Sequence, residues 1–392
     1  MKFKLYLTAC LLVLGLSCAH AVPAKKGVKR TIKLADGTSV VAELKGDEFA
    51  SYWQADDGKC YVQDVDSRTF KITDKAQVVN RGLAKRQKAN DARIKRFTKR
   101  GQKREITGAF SHFTGIKKGL IILVNFKDVK FGRTHTSNMF NNIANKKGFT
   151  NSLGFKGSVK DYFLAQSNGQ FELDFDVVGP YTLSQNMAYY GAHGKDGQVD
   201  VKPGHMVLEA CQMADKDVNY KDYDWDGDGE VDQVFVIYAG FGEADGGSED
   251  TIWPHESMLS ASTVGKRYET KDGVNVNTYA CGNENTYDML GRSRINGIGT
   301  ICHEFSHCLG YPDLYDTNYS GNFGMGSFDL MCSGSYNGES FCPPNYSAYE
   351  KWIAGWITPI VLDKPASVKG MQAQDVKYGQ AFVVYNDNNK NE

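Results

Sequence analysis

The hydrophobic pattern of the N-terminal region predicts short strands that are followed by a basic helix or linker. Residues 31–73 alternate apolar and polar positions in runs of strand length, and Asp-Gly pairs separate some of these runs. The pattern predicts a small β-rich domain. Residues 81–104 are polar and heavily basic, which is typical of a linker that proteases reach easily. A plain solvated helix is an equally good interpretation of this second stretch.

The central region alternates segments of strand period with segments of helical period. Residues 119–128 and 232–240 are almost continuously apolar, which predicts buried strands, and residues 170–179 alternate as a half-buried strand does. Residues 158–169 and 205–216 have the pattern and the terminal residues of helices. Strands that alternate with helices predict an α/β (α+β) catalytic domain.

The end of the sequence contains one predicted strand without an obvious partner. An apolar run at 381–385 is followed only by turn-forming and polar residues up to 392. A strand that ends a hairpin without its second arm leaves backbone groups unpaired. We therefore expect residues 361–392 to begin a β-rich C-terminal region that continues beyond residue 392.

Residues 1–21 have the organisation of a secretory signal peptide. A lysine-containing start precedes an apolar run that is too short to span a bilayer, and Ala19 and Ala21 favour cleavage before Val22. Lipid attachment at Cys18 is a weaker interpretation of the same stretch. No other stretch of the sequence is long and apolar enough to predict a membrane span. The sequence predicts a secreted protein, either extracellular or periplasmic.

The overall charge is balanced, but the two parts of the chain carry opposite charge. Residues 22–105 contain 21 Lys and Arg against 11 Asp and Glu, a net charge of +10. Residues 106–392 contain 23 against 35, a net charge of −12. Opposed charge of this size favours a basic segment that docks on an acidic body, although a basic arm for another polyanion fits the same pattern.

Two of the eight histidines lie within one short segment, HEFSHCLGYPD at 303–313. On a helix, His303 and His307 project from the same face and can chelate a transition metal, while Glu304 can take a proton from metal-bound water. Gly310 can end the helix and turn the chain, so that Asp313 returns as a third ligand. Three protein ligands leave the open position that catalytic zinc needs.

The complete pattern is too specific to be incidental, although the third ligand has a competitor. By average residue frequencies, HExxH arises by chance in roughly one chain of this length in a hundred, and the added Gly and Asp lower this to roughly one in ten thousand. Glu350 lies on a predicted later helix, and a glutamate in that place can also complete a zinc site. We expect Asp313 to be the ligand, with Glu350 as the alternative.

The segment 303–313 is similar to the extended zinc signature of the metzincin-like peptidases. Downstream, GSFDLMCSGSYNG at 326–338 resembles their methionine turn. This resemblance implies that Met331 lies beneath the metal and that the hydroxyl of Tyr336 reaches the scissile carbonyl.

More specifically, residues 117–360 resemble the immune inhibitor A family of secreted metalloproteases. The segments that carry the resemblance occur in the family's order: KGLIILVNFKD, GSVKDYFLAQSNGQ, DWDGDGEVDQVFVIYAG, IWPHESML and SAYEKWIAGW. Tyr238 stands where the family pattern has a histidine. The resemblance implies a zinc peptidase fold and a chain that extends past residue 392.

An acidic segment at 222–232 predicts a second kind of metal site. Its alternate carboxylates are suited to a hard cation such as calcium, and they belong to Asp224, Asp226, Asp228, Glu230 and Asp232. The segment is not an EF-hand, because Phe235 occupies the place of the bidentate glutamate. A solvated acidic loop without a cation is the alternative.

The cysteines leave two questions open. Seven cysteines follow the predicted signal peptide, and secretion would permit disulfide bonds among them, with buried free thiols as the equal alternative. Cys302 and Cys308 flank the histidine motif, so a thiol hydrolase that uses one of them is a rival hypothesis.

The sequence as a whole predicts a zinc-dependent endopeptidase made as a zymogen. Residues 22–105 would be the pro-segment, residues 106–360 the catalytic domain with its active-site helix and methionine turn, and residues 361–392 the start of the C-terminal region. We expect protein or peptide substrates, the chain's own pro-segment as a partner, no nucleic acid and a monomer. A non-catalytic, calcium-dependent surface-binding protein with a relict metal site is the alternative.

Overall fold

The computed structural model describes residues 21–99, 113–195, 197–288, 290–373 and 380–386, and the side chains of 92–99 lie outside this description. Most of the predicted signal peptide and the predicted domain boundary near residue 105 also lie outside the described residues.

The N-terminal region forms the short strands that its alternating pattern predicts. Five strands make an antiparallel sheet in the order of the sequence: β1 (Lys29–Lys33), β2 (Ser39–Gly46), β3 (Ser51–Ala55), β4 (Cys60–Gln63) and β5 (Phe70–Thr73). The basic stretch follows as helix α1 (Lys75–Lys99). We refer to these strands as the N-terminal sheet.

The central sheet combines parallel strands with two antiparallel ones. Its order is β13-β12-β8-β6-β7, and β9 also pairs with β12. The strands from this part of the chain are β6 (Gly115–Asn125), β7 (Phe171–Thr182), β8 (Val234–Phe241), β9 (His255–Met258), β10 (Tyr268–Glu269), β11 (Asn275–Val276), β12 (Thr278–Tyr287) and β13 (Ser293–Ile295). Strands β6, β7, β8 and β12 run parallel, whereas β9 and β13 run antiparallel to β12, and β10 and β11 form a separate hairpin.

Within the described residues, α1 is followed by six helices: α2 (Ser137–Asn145), α3 (Val159–Gln166), α4 (Met187–Gly191), α5 (Pro203–Ala214), α6 (Ile298–Cys308) and α7 (Ala348–Ile353). The predicted start of α3 is confirmed, because the Ser158 side chain accepts from the Asp161 amide and the Asp161 side chain accepts from the Ser158 amide. The mixed α/β class predicted from the alternating pattern is confirmed, and strands 119–128, 170–179 and 232–240 lie where expected, within a few residues.

The two faces of the central sheet are buried against different layers. On β6, Ile121 and Leu123 belong to one apolar core with Phe305 of α6, whereas Leu120 and Ile122 belong to another with Val207 of α5. Successive side chains of a strand point to opposite faces, so a continuous apolar run requires cover on both sides. This arrangement fixes α6, which carries the histidine motif, against one face of the sheet.

The N-terminal sheet shares a core with the body of the molecule. Leu44, Trp53 and Tyr61 of the sheet lie in one buried cluster with Ala244 and Trp253. Burial of this apolar surface supplies a non-directional force that holds the sheet in place.

The prediction that the tail strand has no partner is wrong. Strand β15 (Phe382–Val383) pairs in parallel with β14 (Ile360–Val361), through the registers Ile360↔Phe382 and Val361↔Val383. The sequence pattern could not reveal this pairing, because it joins segments that are not adjacent in the chain. Each of the seven cysteines in the described part of the chain is a free thiol. Among the described helices, none is long and apolar enough to cross a membrane.

Candidate metal centre

Helix α6 delivers both histidines of the motif into the interior of the protein. Every residue of α6 is buried, and His303, Glu304 and His307 are each 0% exposed. Because the histidines are four residues apart, their rings share one face of the helix and their Nε2 atoms lie 3.1 Å from each other.

The predicted helix end at Gly310 is confirmed and has a specific geometry. Gly310 has a φ of +100°, its amide donates to His307 O at 2.9 Å, and the Tyr311 amide donates to Ser306 O at 3.1 Å. These two hydrogen bonds form a Schellman motif, which favours glycine at the left-handed position. The motif turns the chain back across the end of α6.

The returning chain places Asp313 opposite both histidines. Its Oδ1 lies 3.2 Å from His303 Nε2 and 3.4 Å from His307 Nε2. The carboxylate is buried, and neither of its oxygens makes a hydrogen bond of acceptable geometry with the described residues. Three ligand atoms of different residues therefore face one point in a dry interior.

The hydrogen bonds of the two rings determine which nitrogen carries the proton. His303 Nδ1 lies 2.7 Å from Leu330 O, and His307 Nδ1 lies 2.8 Å from Tyr311 O. A carbonyl only accepts, so each Nδ1 must be protonated, and a neutral ring then has its lone pair on Nε2. Two lone pairs and a carboxylate oxygen that converge without a proton between them fit a divalent transition metal.

The acidic groups at this centre have shifted proton affinities. Burial raises the pKa of Glu304 well above its usual value, and the neighbouring Asp313 carboxylate raises it further. For Asp313, burial acts to raise the pKa, but the two histidines outweigh this effect when they carry a proton, and the pKa is then lowered. Asp313 is thus suited to remain a charged ligand, while Glu304 is suited to exchange a proton.

The segment that follows the predicted signal peptide runs through this centre, which the sequence pattern did not indicate. Val22 is fully buried, and its amide donates to Glu304 Oε1 at 2.8 Å. Trp253 Nε1 donates to Val22 O at 2.9 Å, and the Tyr336 hydroxyl donates to Pro23 O at 2.7 Å. The predicted cleavage site before Val22 was the only sequence signal near this segment.

The N-terminal sheet holds that segment through contacts with acidic residues of the body. The Glu249 carboxylate is buried and accepts hydrogen bonds from Trp53 Nε1 at 2.9 Å and Gln63 Nε2 at 3.4 Å. Arg30 forms a short ion pair with the same carboxylate. The predicted charge complementarity therefore has a physical counterpart at this contact.

Several other predicted residues have assigned places in the structure. Met331 is fully buried between two 3₁₀ turns, directly after the Leu330 carbonyl that orients His303. Glu350 caps α7 instead of facing the histidines, since its Oε2 accepts from the Ser347 amide and hydroxyl at 2.7 and 2.8 Å. Tyr238 is buried and donates to Ile252 O at 2.6 Å.

The acidic loop brings together only part of the predicted calcium set. Ligand oxygens of Asp224, Asp226 and Asp232 lie within 4.8 Å of one another. Glu230 lies 3.3 Å from Arg267, and Asp228 Oδ1 accepts from the Glu230 amide at 2.9 Å.

The cysteine beside the first histidine is not prepared for nucleophilic attack. Cys302 is fully buried, and burial raises the pKa of its thiol well above the usual value. A thiolate is the reactive form, so this environment disfavours a thiol hydrolase that uses Cys302.

Comparison with known proteins places this chain in a family. Residues 116–356 match the model of the immune inhibitor A peptidase M6 catalytic domain. This range contains the central sheet except its first residue, helix α6, and the residues of the metal centre except those of the N-terminal region.

Individual relatives agree with the family match. The chain is 28% identical over 258 residues to the pre-pro-metalloprotease PrtV of Vibrio cholerae serotype O1 (strain M66-2), which is 57% of this chain and 28% of that protein. It is 27% identical over 297 residues to immune inhibitor A of Bacillus thuringiensis subsp. alesti, which is 65% of this chain and 42% of that protein. The matched region thus spans less than half the length of these relatives.

The geometry predicts that Asp313, and not Glu350, contributes to metal binding. Loss of a residue that only hydrogen-bonds to a metal ligand weakens metal binding by roughly 10- to 100-fold. Because Asp313 is proposed as a ligand itself, we expect Asp313→Ala to weaken zinc binding by more than this. Glu350→Gln should retain the zinc, because its carboxyl group caps α7. Zinc per folded chain, measured by elemental analysis after dialysis, tests both variants, and the opposite result would make Glu350 the ligand.

Proposed function

Because the chain belongs to the immune inhibitor A peptidase M6 family, we propose that it is a secreted, zinc-dependent endopeptidase that is made as a zymogen. The convergence of His303 Nε2, His307 Nε2 and Asp313 Oδ1 beside Glu304 supports this proposal most strongly. Its substrates are proteins or peptides, because an endopeptidase hydrolyses peptide bonds.

His303, His307 and Asp313 would hold the zinc ion, and the Leu330 and Tyr311 carbonyls keep both rings oriented for it. When bound, zinc supplies Lewis acidity and lowers the pKa of a coordinated water. Glu304, whose raised pKa follows from its burial, accepts the proton of the attacking water and then delivers a proton to the leaving amine. Tyr336 is proposed to donate its hydroxyl to the scissile carbonyl, as it now donates to Pro23 O. Met331 is proposed to support the centre from below.

The zymogen proposal rests on the contacts of residues 22 and 23. The Val22 amide donates to Glu304 Oε1, and Pro23 O accepts from the Tyr336 hydroxyl, so this segment contacts both side chains proposed for catalysis. Cleavage before Val22 would turn this nitrogen into a charged amine beside the carboxylate and strengthen the contact. The docked N-terminal sheet keeps the segment in place, so activation requires release of residues 22 to about 105, and the basic stretch at 84–104 offers a site for proteolysis.

We also propose a calcium ion in the acidic loop, held by Asp224, Asp226 and Asp232 and, through small rearrangements, by Asp228 or Glu230. Carboxylate oxygens within 4.8 Å of one another repel unless a cation lies among them. The tight loop geometry supports the same proposal, since backbone amides of Gly227 and Gly229 already donate to Asp224.

The non-catalytic alternative, a calcium-dependent surface-binding protein, has less support. A binding protein does not require a buried glutamate with a raised pKa next to two aligned imidazoles. Burial of an unpaired acid costs stability unless another role retains it.

Glu304→Gln should abolish proteolysis while zinc content stays near normal, because the change removes the base and keeps the shape. General acid–base catalysis contributes roughly 10²- to 10⁴-fold, so hydrolysis of casein by the activated enzyme should fall by at least the lower value. Glu269→Gln, at an exposed position, is the matched control and should leave activity unchanged. Activity retained in Glu304→Gln would contradict the mechanism.

Glu249→Gln should weaken the docking of the N-terminal sheet and raise the activity of the uncleaved chain. The change removes a buried charge that accepts hydrogen bonds from three side chains. Each loss of about 1.4 kcal/mol in the free energy of docking makes the undocked state ten times more populated relative to the docked state. Asp250→Asn is the control, because its ion pair with Arg68 is largely exposed and should contribute little. The measurement is the rate of peptide hydrolysis by the uncleaved chain. A denaturing gel of the same sample verifies that the chain is still intact. Equal effects of the two variants would argue against a role of the Glu249 carboxylate in docking the N-terminal sheet.

Calcium should raise the melting temperature of the parent protein by roughly 5 to 10 °C at a concentration about 100 times its dissociation constant. Asp226→Asn should lose most of this increase, whereas Asp174→Asn, at an exposed acidic residue outside the loop, should retain it. A parent protein whose melting temperature ignores calcium would exclude the site.

A further inference from the structure

A second group of metal-ligating side chains lies outside the centre described above. His193 follows α4, Asp200 lies in the loop before α5, and Glu243 begins the 3₁₀ turn Glu243–Asp245 after β8. One ligand atom from each of the three residues lies within 4.8 Å of the other two. His193 Nε2 and Glu243 Oε2 are 2.8 Å apart.

Asp200 is the residue whose environment is otherwise unexplained. It is only 5% exposed, and its backbone has a φ of +51°, a left-handed conformation that is uncommon for residues other than glycine. Its Oδ2 accepts from the Trp253 amide at 2.7 Å, but its Oδ1 has no hydrogen-bond partner among the described residues. A buried carboxylate oxygen without a partner costs free energy that a ligand would recover.

Charge balance in this buried group requires either a proton on one carboxylate or a bound cation. Two carboxylates, Asp200 and Glu243, are almost completely buried, and His193 can neutralise only one of them. Burial and the charge of Glu243 raise the pKa of Asp200 well above its usual value. A divalent cation would neutralise both carboxylates and leave the imidazole uncharged.

We propose that His193, Asp200 and Glu243 form a second transition-metal site that binds zinc or a similar divalent ion. One imidazole nitrogen with two carboxylate oxygens is a ligand set that such ions accept, and a fourth position remains for water or for a protein oxygen. The Ser51 hydroxyl of the N-terminal sheet donates to Glu243 Oε1 at 3.3 Å.

The proposed ion would be accessible and would be linked through Trp253 to Val22. A cleft lined by Ser51, Gln63 and Val199 reaches His193, whose side chain is 16% exposed. On the other side, Asp200 holds the backbone of Trp253, whose indole donates to Val22 O. A metal at this site would therefore stiffen the backbone of Trp253, which holds Val22.

The experiment measures cobalt binding to the full chain after removal of metals with a chelator. Calcium in excess occupies the acidic loop, and the visible absorption of Co²⁺ reports a site with a nitrogen ligand. We expect the double variant His303→Ala, His307→Ala to retain one equivalent of Co²⁺. Addition of His193→Ala should remove that equivalent or weaken it by at least about 100-fold, since a ligand is lost. His205→Ala, at a histidine that contacts Thr263, is the matched control and should retain it.

Two outcomes would overturn the proposal. Either the double variant binds no Co²⁺, in which case His193 and Glu243 form only an ion pair, or binding survives His193→Ala unchanged. If His193→Ala does not fold, as judged by circular dichroism, Asp200→Asn in the same background gives the same test with a nearly isosteric change. Because the double variant lacks the catalytic ligands, the result is independent of whether the proposed peptidase function is correct.

Discussion

The structure depends on the burial of three proton-free ligand atoms around one point. His303, His307 and Asp313 are in the dry interior, where unpaired polar atoms are costly. Their arrangement requires a helix that is buried on all sides, a glycine that ends it and a carbonyl behind each ring. The central sheet contributes to the first requirement from one side, and Phe163 of α3 and Met331 belong to the same buried apolar cluster as α6.

The same burial would link the proposed catalysis to the proposed latency. Glu304 lies beside the ligands. Burial raises the pKa of its carboxyl group and makes it a stronger base. An acceptor in such surroundings binds any available donor, and in this chain the donor is the Val22 amide. Inhibition by the N-terminal segment is therefore the expected consequence of the property that the proposed mechanism uses. The opposite net charges of residues 22–105 and 106–392 would help to hold the contact between Val22 and Glu304 in place.

The two histidine-containing groups differ in how well their hydrogen bonds position the candidate ligand atoms. At the first centre, both rings are fixed by backbone carbonyls and the ligand atoms are 3.1 to 3.4 Å apart. At the second, His193 contacts Glu243 directly, and Asp200 has a free oxygen. The first is organised before any ion arrives, whereas the second lies in loops whose geometry an ion would complete.

The sequence alone determined the features that depend on local spacing. It indicated the strands at 119–128 and 232–240, the capping box at Ser158, the helix end at Gly310 and the shared face of His303 and His307, because neighbours in the chain control each of them. Only the tertiary structure decided which residues from distant segments meet. The position of Asp313 relative to Glu350, the pairing of β14 with β15, the contact of Val22 with Glu304 and the group at His193 join residues far apart in the sequence. Packing of the whole chain sets such contacts, and no periodicity in a single sequence records them.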